Sequence, residues 1–263
     1  MKCNSASLLV ALLLATNTLY SGIVLTSVPK CGTHLAIKCI KAITGLNFAG
    51  HSNTWITPNP NDFRAKFLAG HTIYSNHHDK LITRNRSRGV LILRDPRDQC
   101  ISWLYYLKDK HPNVWPHLAA MDFNAALSAW IEDTSLIYSS LISWKDPRIL
   151  SFKGIDDLYH QYTPWINHPS FYTTTFEKLV GPQGGGSSEE QIQEIMNIAK
   201  HIGHPITIQR AHNIADRLFG KRTFRAGKIG AWKTHFTEEH KNLFKEIGGQ
   251  LLIDLGYEKD LNW

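Results

Sequence analysis

Two short segments of this chain carry residue types suited to holding a polyanion. The first is Pro29-Lys30-Cys31-Gly32-Thr33-His34, which follows an apolar run and precedes a helical pattern. A loop between strand and helix presents backbone N–H groups at the positive end of the helix dipole, and Lys30 adds a full charge there. The order is not that of a Walker A loop, since no Gly-x-x-x-x-Gly-Lys-Ser/Thr occurs and Lys30 precedes Gly32. An ordinary turn between a strand and a helix accounts for the same residues. The second segment is Arg94-Asp95-Pro96-Arg97-Asp98, with Ser102 eight residues beyond Arg94, about two helical turns. A guanidinium with two parallel donors and a hydroxyl together suit one phosphate. A salt-bridged turn that caps a helix suits the same five residues. Fourteen His raise a metal site, but His77-His78 and the scattered His51, His111, His117, His160 and His168 have neither His-Glu-x-x-His spacing nor a Cys/His ligand array.

Both segments need elements that bring them together. Gly22 to Val28 reads as a buried, β-branched strand. The apolar positions Leu35, Ala36, Cys39, Ile40 and Ile43 then recur at helical spacing until Gly45 stops the helix. The unit repeats: Gly89 to Leu93 is a second buried strand, and Ile101, Leu104, Tyr105 and Lys108 follow on a helix. Asp122 caps a long helical pattern from Phe123 through Leu141. Further strands are expected at Ile149 to Phe152 and Phe171 to Thr175, separated by Tyr159 to Pro169, which reads as a surface or substrate-facing loop. Ser187 with Glu190 makes a capping box for a helix running to Gly203, and Thr237 caps another through Leu251. Lys221 to Gly230 is a basic, Gly-containing loop, and no internal repeat is visible. Strands alternating with helices predict one α/β domain, residues 22–263, with a central, mainly parallel sheet flanked by helices.

The chain's 263 residues are enough to bury a core without disulfide or metal staples, and 43% hydrophobic with 11% aromatic residues describes an ordered globule. Lys and Arg exceed Asp and Glu by 29 to 22, a formal +7 that favours anionic partners without choosing among them. Four Cys lack Cys-x-x-Cys spacing and read as reduced thiols. Residues 1–21 form an apolar leader: Lys2 precedes the run Ala6 to Ala15, the outline of a signal peptide, and the apolar stretch 6–25 also suits a poor membrane anchor or a buried leader helix.

Four segments in order resemble the sulfotransferases that use 3′-phosphoadenosine 5′-phosphosulfate (PAPS). Val28 to Thr33 resembles the loop holding the 5′-phosphosulfate, and Leu93 to Asp98 with Ser102 resembles the 3′-phosphate motif with its spacing kept. Phe224-Arg225-Ala226-Gly227 with Gly230 to Thr237 is similar to the C-terminal signature that closes over the cofactor, and Gly70-His71-Thr72 falls where the family carries its catalytic His just after a strand. The resemblance implies a P-loop-like fold and in-line sulfuryl transfer to an acceptor hydroxyl or amine. His71 would then be the general base, a role suited to histidine because an unperturbed imidazole has a pKa of about 6.5, and Lys30 would stabilise charge on the bridging and leaving oxygens. Lys30, Cys31, Gly32, Thr33, His34, Arg94, Ser102, Phe176, Arg225, Ala226 and Gly227 would bind the cofactor, with PAP (adenosine 3′,5′-bisphosphate) as product and no metal.

The chain departs from the family's habits at Cys31, usually Ser, at His34 and Leu35, where Thr and an adenine-stacking Trp are common, and at Phe176, often Tyr. The family's dimer motif is not matched either, because Glu238 follows Thr237 and Asn242 stands in the Glu position, so no oligomeric state is assigned. The acceptor is a small molecule or glycan, with phenol, alcohol and amine all open, and nucleic acid is not expected as a partner. Tyr105, Tyr106 and Trp115 suit a pocket lining, whereas most of the aromatic cluster from Trp103 to Trp130 reads as core. The cytosol, where PAPS is made, is the preferred location, and the secretory route or a membrane anchor through the leader is the alternative. A small-molecule kinase is disfavoured by the missing Gly-Lys-Ser/Thr. A basic anion-binding protein without catalysis is the reading from a different class.

Overall fold

The structure is a computed structural model and describes residues 22–51, 66–70, 76–84, 86–110, 112, 120–133, 153–220 and 226–263. Among these residues the centre is a five-stranded sheet of β1 (Ile23–Ser27), β2 (Asn47–His51), β3 (Lys66–Gly70), β4 (Arg88–Leu93) and β5 (Phe171–Thr175). The order is β2-β3-β1-β4-β5 and every pairing is parallel. Parallel strands must be joined by crossovers that cover both faces, so their residues are apolar on both sides. β1 is buried along its whole length. On β4 the pleat sorts neighbours to opposite layers, with Leu91 and Leu93 in one core cluster and Val90 and Ile92 in the other.

One layer holds α1 (Thr33–Thr44), α6 (Phe176–Val180), α7 (Ser188–His201) and α8 (Ile208–Leu218), whose apolar stripes face Ile23, Leu25, Val90 and Ile92. The opposite layer holds α3 (Pro96–Lys110), α4 (Phe123–Glu132), α5 (Gly154–His160) and α9 (Glu238–Asp254). The short α2 (Asn76–Arg84) leads into β4. Local chemistry sets several ends. Gly45 takes a left-handed conformation (φ 73°) and returns its N–H to Lys41 O, closing α1. Thr237 accepts from the His240 N–H while the His240 ring accepts from the Thr237 N–H, so a histidine completes the capping box of α9. At α7 the Ser187 hydroxyl accepts from the Glu190 N–H but donates to the Glu189 carboxylate, so the cap is made and the partner is the neighbouring acid.

The expected strands at 22–28, 89–93 and 171–175 are β1, β4 and β5. The expected strand at 149–152 and the leader 1–21 lie outside the described residues. The helix after Asp122 stops at Glu132, earlier than the apolar pattern suggests, because Asp133 turns extended (φ −143°, ψ 102°). An Asp side chain competes with helical hydrogen bonding for nearby backbone groups. Among the described residues, no helix is long and apolar enough to cross a membrane.

The segment from Tyr159 to Pro169 corrects the sequence reading. It is a core strut: Tyr159, Tyr162 and Trp165 are 1%, 0% and 0% exposed. The Tyr162 N–H donates to Tyr159 O and the Trp165 N–H to Tyr162 O, so the backbone turns with three residues per turn and all three side chains are buried. Pro164 and the polar residues between them give the stretch its loop-like composition. Trp165 also stacks on Phe171 of β5 at 4.5 Å. Trp165→Ala is expected to lower the unfolding free energy by about 3–5 kcal/mol, read by urea denaturation. A change within about 0.5 kcal/mol, the usual value for a surface position, would return the segment to the surface.

Candidate active site

In an open parallel sheet, ligands gather outside the carboxyl ends of strands whose connections leave in opposite directions. Here that point lies between β1, whose chain turns toward β2 and β3, and β4, whose chain turns toward β5. Lys30 follows β1 and Arg94 follows β4, so the fold delivers both cations to one edge. Ser27 pairs with Ile92 and Thr26 with Gly70, which sets the ends of β4, β1 and β3 side by side.

The loop after β1 reverses sharply. Lys30 and Gly32 both have positive φ, 68° and 99°, and the Cys31 N–H closes the turn on Val28 O at 3.2 Å. A Cβ on Gly32 would lie 3.0 Å from Phe176 Cδ2 and 3.1 Å from Ile92 Cδ1, so glycine serves both the backbone angle and the packing. Thr33 opens α1, and its hydroxyl is 2.6 Å from the Ser27 hydroxyl. The first turn of a helix carries amides with no intrahelical acceptor, and this one opens beside Lys30. The Lys30 ammonium lies 4.0 Å from the Tyr106 ring centroid. Burial, then the nearby Arg94 charge, lowers its pKa to about 8.

Arg94 is 7% exposed and held from three directions. Its Nη2 donates to Lys228 O at 2.8 Å and lies 3.6 Å from the Asp98 carboxylate, and its guanidinium sits 4.3 Å over the Phe176 ring. Its Nε is buried and has no hydrogen-bond partner among the described residues. Asp98 in turn accepts from the Gly230 N–H at 2.8 Å and the Trp232 N–H at 2.9 Å. Burial pushes its carboxyl pKa up, against the pull of Arg94 and the Trp232 amide. The segment Ala226 to Trp232 is thereby strapped to the start of α3. The Ile229 N–H to Gly184 O and Lys228 Nζ to Gln183 O fix its other side.

The residues singled out from the sequence fall into three groups. Lys30, His34, Arg94 and Ser102 lie along the loops and helices that begin at this edge, with His34 exposed and Ser102 half-buried. Cys31, Thr33 and Phe176 face inward: Cys31 is fully buried against Tyr159, and Phe176 underlies Arg94. Leu35 likewise packs in the core. Ala226 and Gly227 belong to the strap, while Arg225, His71 and Trp115 lie outside the described residues. Sequence reasoning missed the supporting layer of Asp98, Gln99, Glu177 and Tyr159. Asp98 had a visible signal, an acid four residues after Arg94 where a helix is expected to begin. The contacts of Gln99 and Tyr159 span 70 and 65 positions and had none. Among the described residues no group of three or more His, Cys, Asp or Glu is disposed to hold a metal ion.

Comparison with known proteins gives a consistent relationship. Mouse (Mus musculus) Sulfotransferase 6B1 is 24% identical over 265 residues, covering 90% of this chain and 80% of that protein. The crystal structure of mouse sulfotransferase SULT7A1 complexed with PAP superposes with a TM-score of 0.62 at 16% identity, covering 90% of this chain and 88% of the other. Retinol dehydratase in complex with androsterone and inactive cofactor PAP gives a TM-score of 0.59 at 12% identity, covering 90% and 82%. The family described as the sulfotransferase domain matches residues 21–256, nearly the whole of the α/β unit, and the chain belongs to that family and is a sulfotransferase.

Proposed function

We propose that this chain transfers a sulfuryl group from PAPS to a hydroxyl or amine of an acceptor, gripping the donor at both phosphate ends and taking the acceptor's proton on His71. The observation that carries this reading is the convergence of Lys30 and Arg94 at the switch between β1 and β4, with the Arg94 Nε buried and without a partner among the described residues. A buried guanidinium donor without an acceptor costs free energy unless an anion completes it. A nucleotide with phosphates at two ends suits a site with one cation and a helix N-terminus after β1 and a second cation after β4.

PAPS, when bound, supplies a sulfuryl group on an acid anhydride whose leaving group is a stable phosphate. The amides opening α1 and the Lys30 ammonium hold the 5′ end. Arg94 with Ser102 holds the 3′-phosphate, and the strap from Ala226 to Trp232, with Arg225 just before it, closes the site. His71 follows Gly70, the last residue of β3, whose partner Thr26 is the penultimate residue of β1. In this reading His71 accepts the proton as the acceptor oxygen or nitrogen bonds to sulfur, while the bond from sulfur to the bridging oxygen breaks and Lys30 neutralises the charge left on that oxygen.

Calorimetric titration with PAP, without magnesium, tests the donor site. Wild-type binding that Lys30→Ala and Arg94→Ala each weaken more than about tenfold, 1.4 kcal/mol, is expected. Absence of wild-type binding would overturn the assignment. The pH dependence follows from Lys30. The ammonium is charged below its pKa of about 8, and the phosphates are fully ionised well before that, since their second pKa is about 6. PAP affinity should therefore fall as the pH rises through about 8 and level off near the affinity of Lys30→Met, whose own profile should show no fall there. His71→Ala should leave PAP affinity within about twofold and cut turnover by about 10²–10⁴, measured as acceptor-dependent release of PAP. An unaffected turnover would remove His71 from the chemistry.

A further inference from the structure

Resting on that reading and going beyond it, we propose that Tyr159 is a positioning residue, whose buried hydroxyl joins the two phosphate-gripping loops and sets the spacing between them. Tyr159 sits near the end of α5, 1% exposed, and its hydroxyl reaches both loops. It lies 2.9 Å from the Arg94 carbonyl oxygen and 3.3 Å from Cys31 Sγ. The proton inventory fixes the direction of each bond. A tyrosine hydroxyl has one hydrogen and a carbonyl has none, so Tyr159 donates to Arg94 O and the Cys31 thiol donates to the Tyr159 oxygen. Burial keeps that thiol protonated, with its pKa pushed up to about 12.

The peptide that carries Arg94 is held on its other side as well. The Asp95 N–H donates to Glu177 Oε1 at 3.0 Å, and Glu177 Oε2 accepts from the Tyr257 hydroxyl at 3.1 Å. The Lys30 loop has a parallel tie, Gln99 Nε2 donating to Pro29 O at 3.0 Å. The two grips are thus built on one hydrogen-bonded frame, and Tyr159 touches both the residue next to Lys30 and the carbonyl of Arg94. A ligand with phosphates at two ends gains from a frame already at the right spacing, because its second contact forms within a complex the first has made. A ligand with one phosphate gains nothing from that spacing. The hydroxyl's contribution is therefore selective for the two-ended nucleotide, which a purely stabilising role would not be.

The test is Tyr159→Phe, which keeps the ring packing and removes the hydroxyl, titrated with PAP, adenosine 3′-phosphate and adenosine 5′-phosphate, with thermal melting alongside. The expected result is a loss of about tenfold for PAP and less than about threefold for each single phosphate. Cys31→Ala, which removes the thiol donor without touching the tyrosine, should give the same selectivity with a smaller PAP loss and decides the matter if Tyr159→Phe does not fold. Equal losses for all three ligands, or a PAP affinity within twofold of wild type in the folded variants, would overturn the proposal. Failure of the wild-type protein to bind PAP is a different outcome: it overturns the donor assignment and this inference with it.

Discussion

The Asp98 carboxylate is the point on which the site depends. It is buried at the first turn of α3, faces Arg94, and accepts the backbone N–H groups of Gly230 and Trp232. A carboxylate removed from water is costly unless its lone pairs are filled by charge and donors, and these three contacts fill them. One group therefore imposes two conditions at once: Arg94 must stay at the carboxyl end of β4, and a segment more than 130 positions away must lie across it. The parallel sheet makes this possible by bringing the ends of β1, β3 and β4 to a common edge.

Around that point the polar residues divide into groups that face the edge and groups that hold the first in place. Lys30 and Arg94 present charge. Cys31, Thr33 and Phe176 sit behind them, against Tyr159, Ser27 and Gly32 respectively. The division accounts for two of the chain's departures from the family's habits. Cys31 takes the place of a serine where the side chain meets a tyrosine hydroxyl inside the protein, and a thiol can still donate there. Phe176 takes the place of a tyrosine where the ring lies beneath a guanidinium, a contact made by the ring face.

A second buried cation shows how the C-terminus is recruited. Arg97 forms a bidentate pair with Asp95, a further pair with Glu258 at 2.6 Å, and lies 3.9 Å from the Trp232 ring centroid and 4.5 Å from that of Trp263. Arginine suits this position because a planar guanidinium satisfies two carboxylates along its edge while its faces meet aromatic rings. The last residues of the chain are thereby packed onto the turn that carries Arg94.

The sequence by itself determined the local elements whose causes are local. The β-branched run of β1 and the stripe of Leu35, Ala36, Cys39, Ile40 and Ile43 ended by Gly45 were legible, as was the threonine cap of α9, because each rests on residues a few positions apart. The segments around Lys30 and Arg94 were legible for the same reason. Tertiary structure alone decided the rest. α8 escaped notice because its buried face is only Ala211, Ile214 and Leu218 among polar residues, and the strut from Tyr159 to Trp165 looked like a loop because its period of three matches neither helix nor strand. The inward roles of Cys31, Thr33 and Phe176, the Asp98 strap and the Tyr159 link depend on contacts between residues as many as 134 positions apart. A hydrogen-bond partner at that separation is chosen by the packing of the sheet and its layers, so no local pattern in the chain records it.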